Sequence, residues 1–182
     1  MIDEILTTLP CRLSLKKHET SETEHLGLPD RIARAIAFLR RRFLEWDVMN
    51  TDRVVFELLI PTLLELLAAE GVKFSFPGYK TLLQLKEAKL SKFCLDELYY
   101  YPTPLLFSLE AFIGKIDFDK VRHHLSEGGM MCSPSPTATY LMNISEWDER
   151  AEIYLRKTVN DGRINGEGMV PIVYPMSTFE FS

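Results

Sequence analysis

Apolar residues recur along this chain with the 3.6-residue spacing of an α-helix, and this pattern limits the fold more than any other feature. One example follows Pro29, a residue suited to the first turn of a helix, where the apolar positions form a single stripe. These positions are Ile32, Ala35, Ile36, Leu39 and Phe43. Strand-type alternation is scarce, so the sequence predicts an all-α fold of short helices in two layers, like an α/α barrel.

The spacing predicts eight helices, joined mostly by short loops. Their approximate ranges are 3–18, 29–43, 52–71, 79–90, 104–113, 117–125, 136–144 and 146–159. We expect Pro10 to kink or delay the first helix, and Gly71 to end the third. Residues 19–25 are predicted to form a loop, and the last twenty residues to be extended.

The composition of the chain excludes several classes of protein. Hydrophobic residues make up 46% of its 182 residues, which is enough for a sizeable core, and the net charge is only −5. The longest run of basic residues is the three arginines at 40–42, so we expect no nucleic-acid partner. No apolar run reaches the roughly 18 residues that a membrane helix needs. Three widely spaced cysteines favour buried thiols in a reducing compartment, so we predict a cytoplasmic protein with one domain spanning residues 1–182.

The run from Gly128 to Leu141 has an unusual order of residues. A glycine pair and two methionines precede alternating serine and proline, in the string GGMMCSPSPTATYL. Ser135 stands before Pro136, which is typical of a helix start, so we expect Ser133, Ser135 and Thr137 to have capping and other structural roles.

Five runs, taken in order, resemble class II diterpene cyclases of the copalyl diphosphate synthase type. The runs are FELLIPTLL from Phe56, TPLLFSLE from Thr103, the serine–proline run above, VPIVYP from Val170, and Phe179-Glu180. The chain is similar to the γ domain of these enzymes. The residues in its matching runs are closer to those of fungal members, including bifunctional ones such as ent-kaurene synthases. The resemblance covers nearly the whole chain and implies a helical barrel that packs against a β domain.

The resemblance also implies a substrate and a reaction. In this family, geranylgeranyl diphosphate lies between the two domains, and an aspartic acid of an Asp-x-Asp-Asp motif in the β domain protonates its terminal alkene, giving a copalyl-type diphosphate. The present sequence contains no such motif. The string most similar to that motif runs from Asp117 through Asp119 to a lysine. We expect Asp117 to cap a helix there. Relative to the family the chain is shortened at both ends, so we expect one excised domain that is inactive alone.

Several residues align with functional positions of the family. Lys80 stands where a lysine contacts the diphosphate, although a solvated helix lysine is the alternative. Glu45, Asp47 and Asp52 stand where an acidic cluster is implicated in Mg²⁺ binding in the parent enzyme, while a helix cap by Asp52 is the simpler interpretation. Tyr99 and Ile172 occupy the positions of a histidine and an asparagine that hold the deprotonating water in plant members, and neither reproduces that pair.

Other side chains have structural interpretations at least as good as functional ones. His123 and His124 invite a metal site, but adjacent helical residues point to different faces, so we expect surface histidines. Residues 99–101 and the pair Phe74 and Phe76 line either a terpene cavity or an ordinary core. The rival to a cyclase domain is a non-catalytic helical binding or assembly module. An exposed apolar face would favour the cyclase domain, and a self-dimer that closes it would favour the module.

Overall fold

The structure is a computed structural model that describes residues 1–17 and 27–164, with side chains described as far as residue 160. The chain packs as two compact units, Met1–Phe93 and Cys94–Ser182. The prediction of a single domain is not tested by this division and stays a prediction. The described residues are mostly helical, which confirms the expected all-α class.

The first unit contains four α-helices. They are α1 (Ile2–Lys17), α2 (Leu28–Glu45), α3 (Phe56–Ala69) and α4 (Tyr79–Leu90). α1 continues through Pro10 rather than starting after it. α2 buries the predicted stripe, with Ile32, Leu39 and Phe43 inside. The predicted loop at residues 19–25 lies outside the described residues.

The core of the first unit is rich in aromatic side chains. Phe43 of α2 stacks on Phe76 with ring centroids 4.5 Å apart, and Trp46 lies edge-on to Phe56 at 5.8 Å. Phe74 packs against the same cluster, so Phe74 and Phe76 belong to the core of the first unit. The indole N–H of Trp46 donates to a threonine hydroxyl, which satisfies its polar edge.

α3 is apolar on nearly every side and correspondingly buried. It begins at Phe56, after Val55 with φ 68°, so the expectation that Asp52 caps it is wrong. The helix runs to Ala69, and Gly71, the glycine predicted to stop it, follows the C-cap Glu70 with a φ of 82°. The N–H of Gly71 donates to the Ala68 carbonyl and that of Val72 to the Leu67 carbonyl, which is the glycine-terminated ending that left-handed backbone permits.

The second unit consists of short elements. Three 3-10 helices, Leu95–Tyr99, Pro104–Phe112 and Phe118–His124, precede a hairpin of β1 (Leu125–Ser126) and β2 (Gly129–Met130). α5 (Pro134–Asn143) and α6 (Glu149–Ile164) follow. The sequence predicted helices at residues 104–113 and 117–125 but not the hairpin. Asp117 caps its helix as expected, with Oδ1 accepting from the Asp119 N–H at 3.1 Å.

The hairpin depends on two glycines that allow it to approach α6 closely. Gly128 has a φ of 85°, and a side chain there would overlap the Arg150 carbonyl oxygen. A side chain at Gly129 would overlap the ring of Tyr154. The double glycine that stands out in the sequence is therefore required by packing and backbone conformation.

Cysteine placement differs from the expectation of buried thiols. Cys11 and Cys94 are exposed, and Cys132 is half-buried. All three are free thiols in the structure. Among the described helices, none is long and apolar enough to cross a membrane.

Candidate functional site

Lys80, predicted to contact a diphosphate, lies in the first turn of α4 and is exposed. In the described part of the chain, its ammonium group has no hydrogen-bond or ion-pair partner. The first turn of α4 contains no acidic residue, so no carboxylate there balances the positive end of the helix dipole. A lysine beside such a helix terminus is suited to bind a phosphate group.

Close packing holds the start of α4 in place. A side chain at Gly78 would overlap Val48, so this glycine allows the chain to meet the core directly. Tyr79 lies edge-on against Phe76, with ring centroids 5.5 Å apart. These contacts fix the backbone from which Lys80 extends, while its side chain remains in solvent.

The three carboxylates predicted to bind Mg²⁺ each have a local interaction, that of Asp52 being electrostatic and with the neighbouring Arg53. Glu45 accepts from Arg42 Nη1 at 2.8 Å. Asp47 accepts from the side-chain amide of Asn50 at 2.8 Å and also from backbone N–H groups of the turn after α2. Asp52 is exposed. Across residues 1–17 and 27–160, no group of three or more His, Cys, Asp or Glu side chains is arranged to hold a metal. These residues therefore do not fit a self-contained metal site.

The serine–proline run begins α5 two residues earlier than predicted, at Pro134 rather than Pro136. Pro134 is the first helical residue and Ser133 the N-cap, so the expectation that Ser135 caps a helix starting at Pro136 is wrong. The Ser133 side chain makes no capping hydrogen bond. Thr137 instead joins the hairpin to α5, because its Oγ1 accepts from the Met130 N–H at 2.8 Å and donates to the Ser133 carbonyl.

Ser135 has a partner that sequence spacing did not indicate. Its hydroxyl donates to Oε1 of Glu110, which lies on the 3-10 helix Pro104–Phe112. Burial raises the pKa of Glu110, although the hydrogen bond from Ser135 acts in the opposite direction. Oε2 of Glu110 is buried and has no hydrogen-bond partner within the described residues. This carboxylate links two elements of the second unit, and no cation pairs with it in the part of the chain that the structure describes.

Tyr99 lines an open cavity of about 360 Å³ in the second unit. Its hydroxyl accepts from the Asp117 N–H at 2.9 Å, and Lys120 Nζ lies 5.2 Å from the centroid of its ring. The other lining residues are Asp96, Tyr100, Lys120 and His123. Tyr100 and Tyr101 are largely exposed, so these two rings do not belong to the core. Ile172, the other position predicted with Tyr99, lies outside the described residues.

The adjacent histidines do not diverge as helical spacing suggested. The rings of His123 and His124 lie 3.9 Å apart at the end of the 3-10 helix Phe118–His124. His124 Nε2 lies 2.9 Å from the Leu98 carbonyl oxygen. Burial lowers the pKa of His124, and the neighbouring His123 acts in the same direction.

A buried aspartate that the sequence analysis missed organises the second unit. Asp148 is 2% exposed, and its Oδ2 accepts from Arg122 Nε at 3.1 Å and from Arg150 Nη2 at 3.3 Å. The hydroxyl of Tyr140 lies 3.3 Å from the same oxygen. An aspartate directly before a helical run is a capping signal, but the helix had been predicted to start at Glu146.

Burial and the neighbouring charges act in opposite directions on the pKa of this aspartate. Burial tends to raise the pKa of Asp148, but hydrogen bonds from Arg150 and the charges of Arg150 and Arg122 outweigh it, so the pKa lies below its usual value. Burial together with the charge of Asp148 raises the pKa of Tyr140 to about 12. The aspartate is therefore ionised and the phenol neutral at physiological pH.

The helical arrangement defines the class of fold. Abietadiene synthase from Abies grandis aligns with 94% of this chain and 22% of its own, with a TM-score of 0.75 and 27% sequence identity. The chain thus has a terpene cyclase helical fold, as predicted.

Sequence comparison supplies the family. The chain is 46% identical over 189 residues to phyllocladan-16-alpha-ol synthase of Phomopsis amygdali, covering all of this chain and 19% of that protein. It is 44% identical over 186 residues to copalyl diphosphate synthase of Talaromyces verruculosus, covering 98% and 19%. No family model matches the chain. The chain is a homologue of one segment of the fungal diterpene cyclases, and it spans about a fifth of the length of these relatives.

Proposed function

We propose that this chain is the γ domain of a class II diterpene cyclase that binds geranylgeranyl diphosphate for cyclisation to a copalyl-type diphosphate. The observation that carries the proposal is the homology, since 98% of the chain matches a copalyl diphosphate synthase at 44% identity. The helical fold shared with abietadiene synthase supports it. In this proposal the chain forms one domain and one wall of the substrate cavity, and the β domain of the same cyclase forms the other.

Lys80 is the residue of this chain that we propose to bind the diphosphate. The support is its exposure, its lack of a partner in the described residues and its place at an uncompensated helix terminus. Within the second unit, Tyr99 would lie at the edge of that unit's own cavity, and the start of α5 at Ser133 and Ser135 would support the packing of that unit. Because Glu45 and Asp47 have local partners, Mg²⁺ in this proposal would come with the diphosphate rather than bind to a site of this chain.

The acid would come from polypeptide beyond these 182 residues. Protonation of an alkene needs a neutral carboxylic acid in a cavity that excludes water. Asp148 is ionised by its arginine partners, and Asp117 caps a helix and accepts from the Asp119 N–H. Neither is a donor of the required kind. We therefore expect the isolated chain to release no copalyl product from geranylgeranyl diphosphate, and a measurable yield would contradict this division of labour.

A chimera tests the proposal directly. The homologous segment of the Talaromyces copalyl diphosphate synthase is replaced by this chain, and conversion of geranylgeranyl diphosphate is measured. We expect the chimera to form copalyl diphosphate. A chimera that folds but does not turn over substrate, together with self-association of the isolated chain, would instead favour an assembly module.

Within an active chimera, Lys80→Met tests the diphosphate contact. Loss of one charge-assisted contact of about 1.5 kcal/mol should lower kcat/KM about tenfold. Lys73→Met is the matched control, because Lys73 is also an exposed lysine of the first unit without a partner among the described residues. Equal effects of the two substitutions would remove Lys80 from the site.

A further inference from the structure

Two arginines in the second unit point their unused hydrogen-bond donors into solvent from a fixed position. Arg122 comes from the last turn of the 3-10 helix Phe118–His124, and Arg150 from the first turn of α6. Both donate to the same oxygen of the buried Asp148, at 3.1 and 3.3 Å. Because one buried carboxylate orients both guanidinium groups, they lie side by side although their elements are separate.

The hydrogen bonds at Asp148 leave part of each guanidinium unused. Arg122 bonds through Nε, and Arg150 through Nε and Nη2. Asp148 also accepts from the Arg150 backbone N–H and the Tyr140 hydroxyl, so it has no capacity for more donors. Both Nη atoms of Arg122 and Nη1 of Arg150 have no acceptor in the part of the chain that the structure describes.

The charges at this point do not balance. Two guanidinium groups face one carboxylate, and among the described residues no other carboxylate lies within ion-pair distance of either. The Arg122 side chain is 48% exposed and that of Arg150 is 65% exposed, so a solute can reach both. Neutralising a buried aspartate needs only one of them, and the second leaves an excess positive charge.

We infer that Arg122 and Arg150 form an oxyanion-binding site, held in place by Asp148, that takes a phosphate- or carboxylate-bearing ligand. Guanidinium groups match both kinds of oxyanion through paired N–H donors, and arginines already oriented lose little freedom on binding. The site belongs to the second unit and does not include Lys80 of the first. It therefore stands whether or not the proposed diphosphate contact of Lys80 is correct.

The 182-residue chain itself is the material for the test. Side-chain Nε–H signals of the arginines are followed by NMR while inorganic diphosphate, inorganic phosphate or acetate is added, with sodium chloride at equal ionic strength as the reference. We expect saturable shifts of the Arg122 and Arg150 signals, and the anion that binds more tightly identifies the ligand class. Shifts that sodium chloride reproduces at equal ionic strength would overturn the inference.

Substitutions sharpen the result. Arg122→Gln should weaken binding of the preferred anion about tenfold, since it removes one charge-assisted contact, and Arg122→Lys should restore part of the affinity. Arg156→Gln is the matched control, because Arg156 is an exposed arginine of α6 that is paired with Glu152 at 2.6 Å. Equal affinities of the Arg122→Gln and Arg156→Gln variants would show that binding is not located here. If Arg122→Gln fails to fold, the shifts in the unsubstituted chain decide alone.

Discussion

Asp148→Asn is the substitution that best tests how the second unit is held together. Asn keeps the size of the side chain and its ability to cap α6, but it removes the charge that both arginines bind. Because Arg122 and Arg150 are about half exposed or more, they regain water, and the full cost of an abandoned buried charge does not apply. We expect the weakening of the charge-assisted hydrogen bonds from both arginines, net of this rehydration, to cost about 2 kcal/mol.

The pH dependence gives this prediction its sign. The pKa of Asp148 is lower in the folded chain than its usual value. Its contribution is therefore fully present above the unfolded-state pKa and is lost as the pH falls through the folded-state pKa. The stability difference between the original chain and Asp148→Asn should be largest near neutral pH and should shrink in acid.

Urea unfolding followed by circular dichroism at several pH values measures this difference. In thermal unfolding of the same two chains, a cost of about 2 kcal/mol corresponds to a fall in Tm of about 4–8 °C for a chain of this size. Glu149→Gln is the matched control, because Glu149 is the exposed neighbouring carboxylate without a partner among the described residues. The reasoning is refuted if Asp148→Asn is as stable as the control at neutral pH, or if its deficit persists unchanged in acid.

Two further substitutions test packing and burial in the second unit. Gly128→Ala should lower the free energy of unfolding by about 2–4 kcal/mol, because it combines left-handed backbone with a clash against the Arg150 carbonyl. Gly114 also has left-handed backbone, with a φ of 76°, but nothing lies within 4 Å of the position that a side chain would take there, so Gly114→Ala should cost only about 1 kcal/mol in the same unfolding assay. Equal costs would contradict the close approach of the hairpin to α6. Glu110→Gln should be at least as stable as the original chain at neutral pH: a raised folded-state pKa means that stability falls as the pH rises from the usual glutamate value through that pKa, and Gln does not titrate. A stability that declines equally with pH in both chains would show that Glu110 is not penalised by burial.

Helix boundaries were most predictable where the signals are local. α4 begins and ends at the predicted residues, and the predicted Gly71 stops α3 two residues after Ala69, because apolar spacing and glycine act within one or two turns. The predicted start of α3 was wrong because Asp52 offers a capping side chain, whereas the helix begins at Phe56 without using it. The two-residue strands of the hairpin are too short to show alternation, so nothing in the local pattern announced them.

The candidate site divides in the same way. The proposed role of Lys80 comes from its alignment with a functional position of a known family. The comparisons confirm that family, while the role of the residue stays a proposal. The partners of Ser135 and Asp148 come from positions 25 and 26 residues away, Glu110 and Arg122. No spacing rule links residues at such separations, so these pairs become visible only when the elements are packed.

The sequence by itself determined the all-α class, the helical stripe of α2 and membership among the fungal diterpene cyclase homologues, because periodicity and inherited motifs are written along the chain. Only the tertiary structure decided which charges meet. Asp148 is buried between two arginines, whereas the half-buried Glu110 has no ion-pair partner among the described residues. Burial and pairing depend on contacts between distant segments, and those contacts decide which carboxylates are ionised and which donors remain free for a ligand.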